Sequence, residues 1–132
     1  MSKASMYTDG GARGNPGPAG IGVVIELGGT IFRYKEFIGV GTNNQAEYQA
    51  VLLGLTKAQE LGVKELECFL DSELVVEQLN LNYKVKDKNL GVLFVKAWNL
   101  IHGFKKVTFK HIPREKNKEA DRLVNEALDE SA

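Results

Sequence analysis

Four carboxylates, Asp9, Glu47, Asp71 and Asp121, stand at the ends of otherwise apolar segments of this chain. Each has an ordinary explanation. Asp9 precedes Gly10-Gly11 as turn-forming aspartates do. Glu47 falls in the first turn of a helix, where an acid suits the macrodipole. Asp71 precedes a capping Ser72, and Asp121 fits a helix surface. Periodicity argues against the ordinary reading for two of them. Glu47, Val51, Gly54, Ala58 and Leu61 form one helical stripe, and Asp121, Val124 and Leu128 form another. A charge in line with a buried stripe is costly unless something compensates it. Carboxylates about 5 Å apart repel by roughly 3 kcal/mol per pair at an effective dielectric near 20. Divalent cations are the natural compensation, and oxygen-only ligands favour Mg2+ or Mn2+ over zinc. Two such ions suit phosphoryl transfer, activating a water and stabilising the leaving oxygen.

The elements that must position these acids are legible in the patterning. Ala4–Asp9 reads as a first strand, Ile21–Ile25 as a second and Thr30–Ile38 as a third, with Gly28-Gly29 as the hairpin turn between the last two. Asn43 or Asn44 caps a helix reaching about Leu61 and stopped by Gly62. Glu65–Leu70 is a fourth strand, Ser72 caps a short helix to about Leu79, and 89–102 has helical periodicity. Val107–Ile112 is a fifth strand and 117–128 a final helix. Residues 80–89 are polar enough to be a mobile connection. An antiparallel meander followed by crossovers predicts an α/β fold with a mixed five-stranded sheet, three antiparallel strands plus parallel ones, flanked by helices. If Asp9 and Asp71 end adjacent strands, the two helices can bring Glu47 and Asp121 over the same edge.

Composition sets the outer limits. A chain of 132 residues fits one domain, 1–132, with a core that needs no staples. Its single cysteine, Cys68, lies in an apolar run and excludes a disulfide framework or zinc cluster, which points to a reducing, cytoplasmic setting. No signal peptide and no apolar run near the ~18 residues of a membrane span is present, so no membrane association is expected. Seventeen basic and seventeen acidic side chains cancel, so any attraction to nucleic acid must be local. The basic residues cluster at 105–118 and alternate at Lys84, Lys86 and Lys88. Cys68 and Trp98 read as packing residues, and His102 as a helix end without chemistry.

Taken in order, Tyr7-Thr8-Asp9-Gly10-Gly11, Asn43-Asn44-Gln45-Ala46-Glu47-Tyr48, Asp71-Ser72, and His111-Ile112-Pro113-Arg114-Glu115 leading to Asn117-Lys118-Glu119-Ala120-Asp121 resemble type 1 ribonuclease H over nearly the whole chain. The resemblance implies the ribonuclease H-like fold and hydrolysis of the RNA strand of RNA–DNA hybrids, giving 3′-hydroxyl and 5′-phosphate ends. It makes Asp9, Glu47, Asp71 and Asp121 the metal-binding catalytic carboxylates, holding two Mg2+ or Mn2+ ions. Gly10, Gly11, Arg13, Gly14, Asn15, Asn43, Asn44 and Gln45 become substrate contacts, placed where an enzyme must sense a 2′-hydroxyl. A P-loop reading of the glycines fails because Gly14-Asn15-Pro16-Gly17 leads into a strand rather than a helix.

Two departures qualify the resemblance. Many members carry a basic insertion that grips the hybrid, whereas 79–91 here is short and holds only Lys84, Lys86 and Lys88. A histidine ten residues before the last aspartate commonly assists turnover, as His111 would, while some members without the insertion place an arginine seven residues before it, as Arg114 would. Both stay open. A monomer is expected, with double-stranded RNA as a side substrate to be tested. The alternative function is a non-catalytic hybrid-binding module of the same fold. An acidic cluster gives a binder of polyanions no advantage.

Overall fold

A computed structural model describes residues 3–132. Strands β1 (Lys3–Ala12), β2 (Gly17–Leu27) and β3 (Thr30–Gly41) form an antiparallel meander, followed by helix α1 (Asn43–Glu60), strand β4 (Glu65–Leu70), helices α2 (Glu73–Leu79) and α3 (Lys88–Ile101), strand β5 (Lys106–His111) and helix α4 (Lys118–Ser131). The sheet order is β3-β2-β1-β4-β5, with β4 parallel to both β1 and β5. This is the mixed five-stranded sheet expected from the patterning. No helix of the described residues is long and apolar enough to cross a membrane.

The parallel pairing answers the question of the acids. β1 and β4 run in register from Lys3 opposite Glu65 to Tyr7 opposite Phe69. Carried two residues further, that register sets Asp9 beside Asp71. The adjacent pair of rings, Tyr7 and Phe69, stacks at 4.9 Å between centroids just below the two acids.

Several element ends differ from expectation, and each has a cause. β1 continues three residues beyond Asp9 because β2 is longer than its apolar run and offers partners, Gly10 opposite Ile21, Gly11 opposite Gly20 and Ala12 opposite Ala19. The glycine-rich loop is thus reduced to residues 13–16, closed by the Arg13 N–H donating to the Pro18 carbonyl at 2.8 Å. Helix α1 is capped by Thr42, not by Asn43 or Asn44. The Thr42 hydroxyl accepts from the Gln45 N–H at 3.1 Å while Gln45 Oε1 accepts from the Thr42 N–H at 2.9 Å, a reciprocal capping box. The stretch 80–89 is tethered rather than loose, since Asn80 Nδ2 donates to the Phe109 carbonyl at 3.1 Å and Asp87 caps α3. The hairpin turn stands as expected, with positive φ at both Gly28 and Gly29.

Helices cover both faces of the sheet. Val23 and Ile25 of β2 join Met6, Cys68 and Leu70 in the main core against Tyr48, Val51 and Leu55 of α1 and Leu93 and Ala97 of α3. Val24, between them, points to the opposite face and packs on Ala120 and Leu123 of α4. At three places a helix approaches so closely that a side chain on the sheet has no room. A Cβ on Gly10 would overlap the Ala46 carbonyl of α1, one on Gly22 would overlap the Ala120 carbonyl of α4, and one on Gly20 would lie 3.0 Å from the Val124 carbonyl. Outside this layer, ion pairs Arg33–Glu119, Lys35–Glu126 and Lys35–Glu130 link β3 to α4.

Candidate active site

The absent side chain of Gly10 brings the first turn of α1 down onto β1. A Cβ there would sit 2.6 Å from the Glu47 amide nitrogen. At that distance the Gly10 N–H serves two acids at once, donating to Glu47 Oε1 at 2.6 Å and to Asp9 Oδ1 at 3.0 Å. Asp9, Glu47 and Asp71 each offer a carboxylate oxygen, and these oxygens lie within 4.8 Å of one another. Asp121, on the first turn of α4, lines the same cleft, an open cavity of about 390 Å³.

The electrostatics are those of an uncompensated cluster. Asp9 is 8 % and Glu47 6 % exposed, so neither acid is bathed by solvent. Burial first, and then the charge of Asp71, push the Asp9 carboxyl up to about 7. Burial and then Asp9 hold Glu47 well above the usual carboxylate range, although its bond from the Gly10 N–H works the other way. Among the described residues no ion pair reaches Asp9, Glu47 or Asp71. Two guanidiniums line this cleft, Arg13 and Arg114, and the Nη2 of Arg114 stands 3.9 Å from Asp121 Oδ1 on a largely exposed side chain. Three hard oxygen donors, two of them dry and without a cation, fit a divalent metal by their own chemistry.

The remaining expected site residues divide. Gly10, Gly11, Arg13, Asn43, Asn44 and Arg114 line the cleft with the acids. Arg13 also pairs with Asp129 at 2.7 Å. Gly14, Asn15, Gln45 and His111 lie outside that lining. Gly14, at φ +95°, turns the short loop. Asn15 Oδ1 accepts from the Asn43 N–H at 3.0 Å, and Gln45 is occupied by the capping box. Asn43 in turn accepts from the Ala12 N–H at 2.9 Å. These amides join the loop to α1. The ring of His111 faces the Asp71 carbonyl, with Nε2 3.3 Å from it.

Patterning gave no role to Asn117. It is 1 % exposed, and its Nδ2 donates both to Asp71 Oδ2 at 2.8 Å and to the Thr8 carbonyl at 2.9 Å. An asparagine just ahead of a helix reads as a cap, and no residue-type signal separates that from a contact 46 positions away. Ser72 and Asn125 also reach the cleft unannounced.

Comparison with known proteins places this geometry in a family. Residues 7–127 match the family described as Reverse transcriptase-like. The bifunctional protein Rv2228c of Mycobacterium tuberculosis is 42% identical, over 98% of this chain and 36% of its own length. Ribonuclease HI of Halobacterium salinarum is likewise 42% identical, over 98% of this chain and 66% of its own. This chain therefore spans about a third of the mycobacterial relative and about two thirds of the halobacterial one. The crystal structure of LC11-RNase H1, solved in complex with an RNA/DNA hybrid, is 47% identical with a TM-score of 0.92, covering 97% of this chain and 98% of that one. Fold, the order of the motifs and similarity over the full sheet agree: the chain belongs to the ribonuclease H1 family.

Proposed function

We propose that this chain, read as a single ribonuclease H domain over residues 1–132, is a metal-dependent endonuclease that hydrolyses the RNA strand of RNA–DNA hybrids and leaves 3′-hydroxyl and 5′-phosphate ends. The observation that carries the reading is the acid cluster itself, three carboxylate oxygens within 4.8 Å with no cation partner among the described residues. A fold gains no stability from such an arrangement. The hybrid bound to LC11-RNase H1 supports the substrate class, since that protein shares the fold across 97% of this chain.

Asp9, Glu47 and Asp71, completed by Asp121, would hold two ions, Mg2+ or Mn2+. When bound, such ions supply the positive charge that activates a water and stabilises the departing oxygen. The chain's own contribution is geometric. The Gly10 N–H orients Asp9 and Glu47 together, and the β1–β4 register holds Asp71 level with them. Gly11, Arg13, Asn43 and Asn44 border the cleft where the RNA strand would lie. Gly14, Asn15 and Gln45, read as further substrate contacts, also hold the loop and helix start that form that border. Of the two residues left open for turnover, Arg114 is favoured, because it lines the cleft and His111 does not. The connection of residues 80–87 between α2 and α3 is taken to stand where other members carry the basic insertion. The chain is further read as a cytoplasmic monomer, with double-stranded RNA as a substrate to be compared with the hybrid.

The test is cleavage of a labelled RNA–DNA hybrid beside RNA duplex, DNA duplex and single strands, with Mg2+, Mn2+ or chelator. Metal-dependent cutting of the RNA strand, lost in Asp71→Asn, is the expected result. Binding of the hybrid without cutting under any metal would move the function to a non-catalytic module.

A further inference from the structure

We infer that Asn117 is a positioning residue for the acid cluster, fixing the orientation of Asp71 and tying it to the strand that carries Asp9 and the helix that carries Asp121. Three observations point the same way. First, Asn117 occupies the N-cap position of α4 yet makes no side-chain cap hydrogen bond there. Asparagine is among the best caps, so its side chain forgoes its usual role. Second, that side chain crosses to the strands, where one amide nitrogen bridges Asp71 Oδ2 and the Thr8 carbonyl, the residue before Asp9. Both partners are acceptors. The bridge demands two N–H donors on one atom, which Asp and Leu cannot supply and which a flipped amide would replace with repulsion. Third, the Oδ1 of Asn117 is buried with no hydrogen-bond partner. A group placed for stability would have that oxygen satisfied.

The backbone of the same residue completes the tie. The Asn117 carbonyl accepts from the Asp121 N–H at 3.1 Å, and its N–H donates to the Arg114 carbonyl at 2.9 Å. One buried residue thereby joins the strand end bearing Asp9, the carboxylate of Asp71, the first turn bearing Asp121 and the segment bearing Arg114. With Oδ2 of Asp71 held by the amide, the rotation of that carboxylate is fixed. Partners that orient the ligands of a metal commonly change metal affinity or activity by about 10–100-fold when removed.

This inference rests on the metal-dependent reading above, and its test separates the two. Asn117→Leu keeps the approximate size and removes both donors without adding charge, and Asn117→Ser keeps a single short donor in case the leucine variant does not fold. Mg2+ binding is measured by calorimetry on the free protein, and kcat and KM are measured on a hybrid. The expected result is Mg2+ affinity weakened at least about tenfold, with kcat reduced and KM for the hybrid unchanged, in protein that still melts cooperatively. Parental Mg2+ affinity and kcat in a folded variant, with any loss confined to the melting temperature, would reduce Asn117 to a structural residue. A parental protein that neither binds Mg2+ nor cuts the hybrid would overturn the underlying reading and this inference together.

Discussion

Neutralising one acid of the cluster is expected to stabilise the metal-free protein while destroying its activity. Asp9→Asn is the sharpest case, because the amide has the size of the carboxyl and its oxygen can still accept from the Gly10 N–H. Folding raises this carboxyl from the ordinary 3.8 to about 7. A group raised on folding contributes its full stability below its unfolded value and loses it as pH climbs through its folded value. For Asp9 that window runs from about pH 4 to about pH 7. The whole loss has a ceiling of about 4 kcal/mol at pH 8.5, from roughly 1.4 kcal/mol per pH unit. Direct repulsion gives the same scale, since two charges 4.8 Å apart interact by about 3 kcal/mol at an effective dielectric near 20. The assay is thermal melting in chelator at pH 4 and pH 8.5, with and without Mg2+. A gain of about 2–4 kcal/mol corresponds to roughly 6–15 °C for a domain of this size. The variant should melt higher than the parent by that margin at pH 8.5 and together with it at pH 4. Added Mg2+ should raise the parent more than the variant. Equal or lower melting of Asp9→Asn at pH 8.5 would refute the idea that ionised acids strain the empty cluster.

Other outcomes follow from particular contacts. Gly10→Ala sets a methyl group into the Ala46 carbonyl and should cost about 3 kcal/mol or more in a denaturant titration, separating Glu47 from its amide donor as well. Thr42→Ala removes the capping box and should lower stability by about 1 kcal/mol, with hybrid cleavage largely retained once the protein is folded. Arg114→Ala should reduce steady-state kcat at least about tenfold, about 1.4 kcal/mol of barrier, whereas His111→Ala should change it by less. The reverse order would return the role to the histidine.

The elements and the order of the motifs could be read from the chain because they depend on local rules. Alternation along 65–70 and the stop at Gly62 decide strand and helix without tertiary help. Glu47 announced itself as a charge at the end of a buried stripe, and the structure does bury it. What escaped was set by partners distant in sequence. β1 runs on through Gly10 and Gly11 only because β2 lies alongside, so the glycine loop shrank from 10–20 to 13–16. The close approach of α1 to Gly10 likewise depends on a helix more than thirty positions away, whose Ala46 carbonyl occupies the place of a side chain. Thr42 displaced the two asparagines as cap because Gln45 three residues on could reciprocate, a pairing that was present in the sequence. Asn117 had no such signature, for its partners are Thr8 and Asp71, 109 and 46 positions away.

The glycines beneath α1 and α4 carry a consequence for how this molecule can change over time. Where Gly10 meets Ala46 and Gly22 meets Ala120, main chain rests on main chain, and while the glycines stand no side chain lies between them to be trimmed or repacked. The separation of Glu47 and Asp121 from the strands is therefore gauged by peptide groups, whose dimensions no substitution alters. Leu55, Leu93 and Phe109 of the apolar interior are not among the atoms nearest to either seam. That interior is free to drift in size and shape, tuning the protein to heat or cold, without recalibrating the distances on which its chemistry depends.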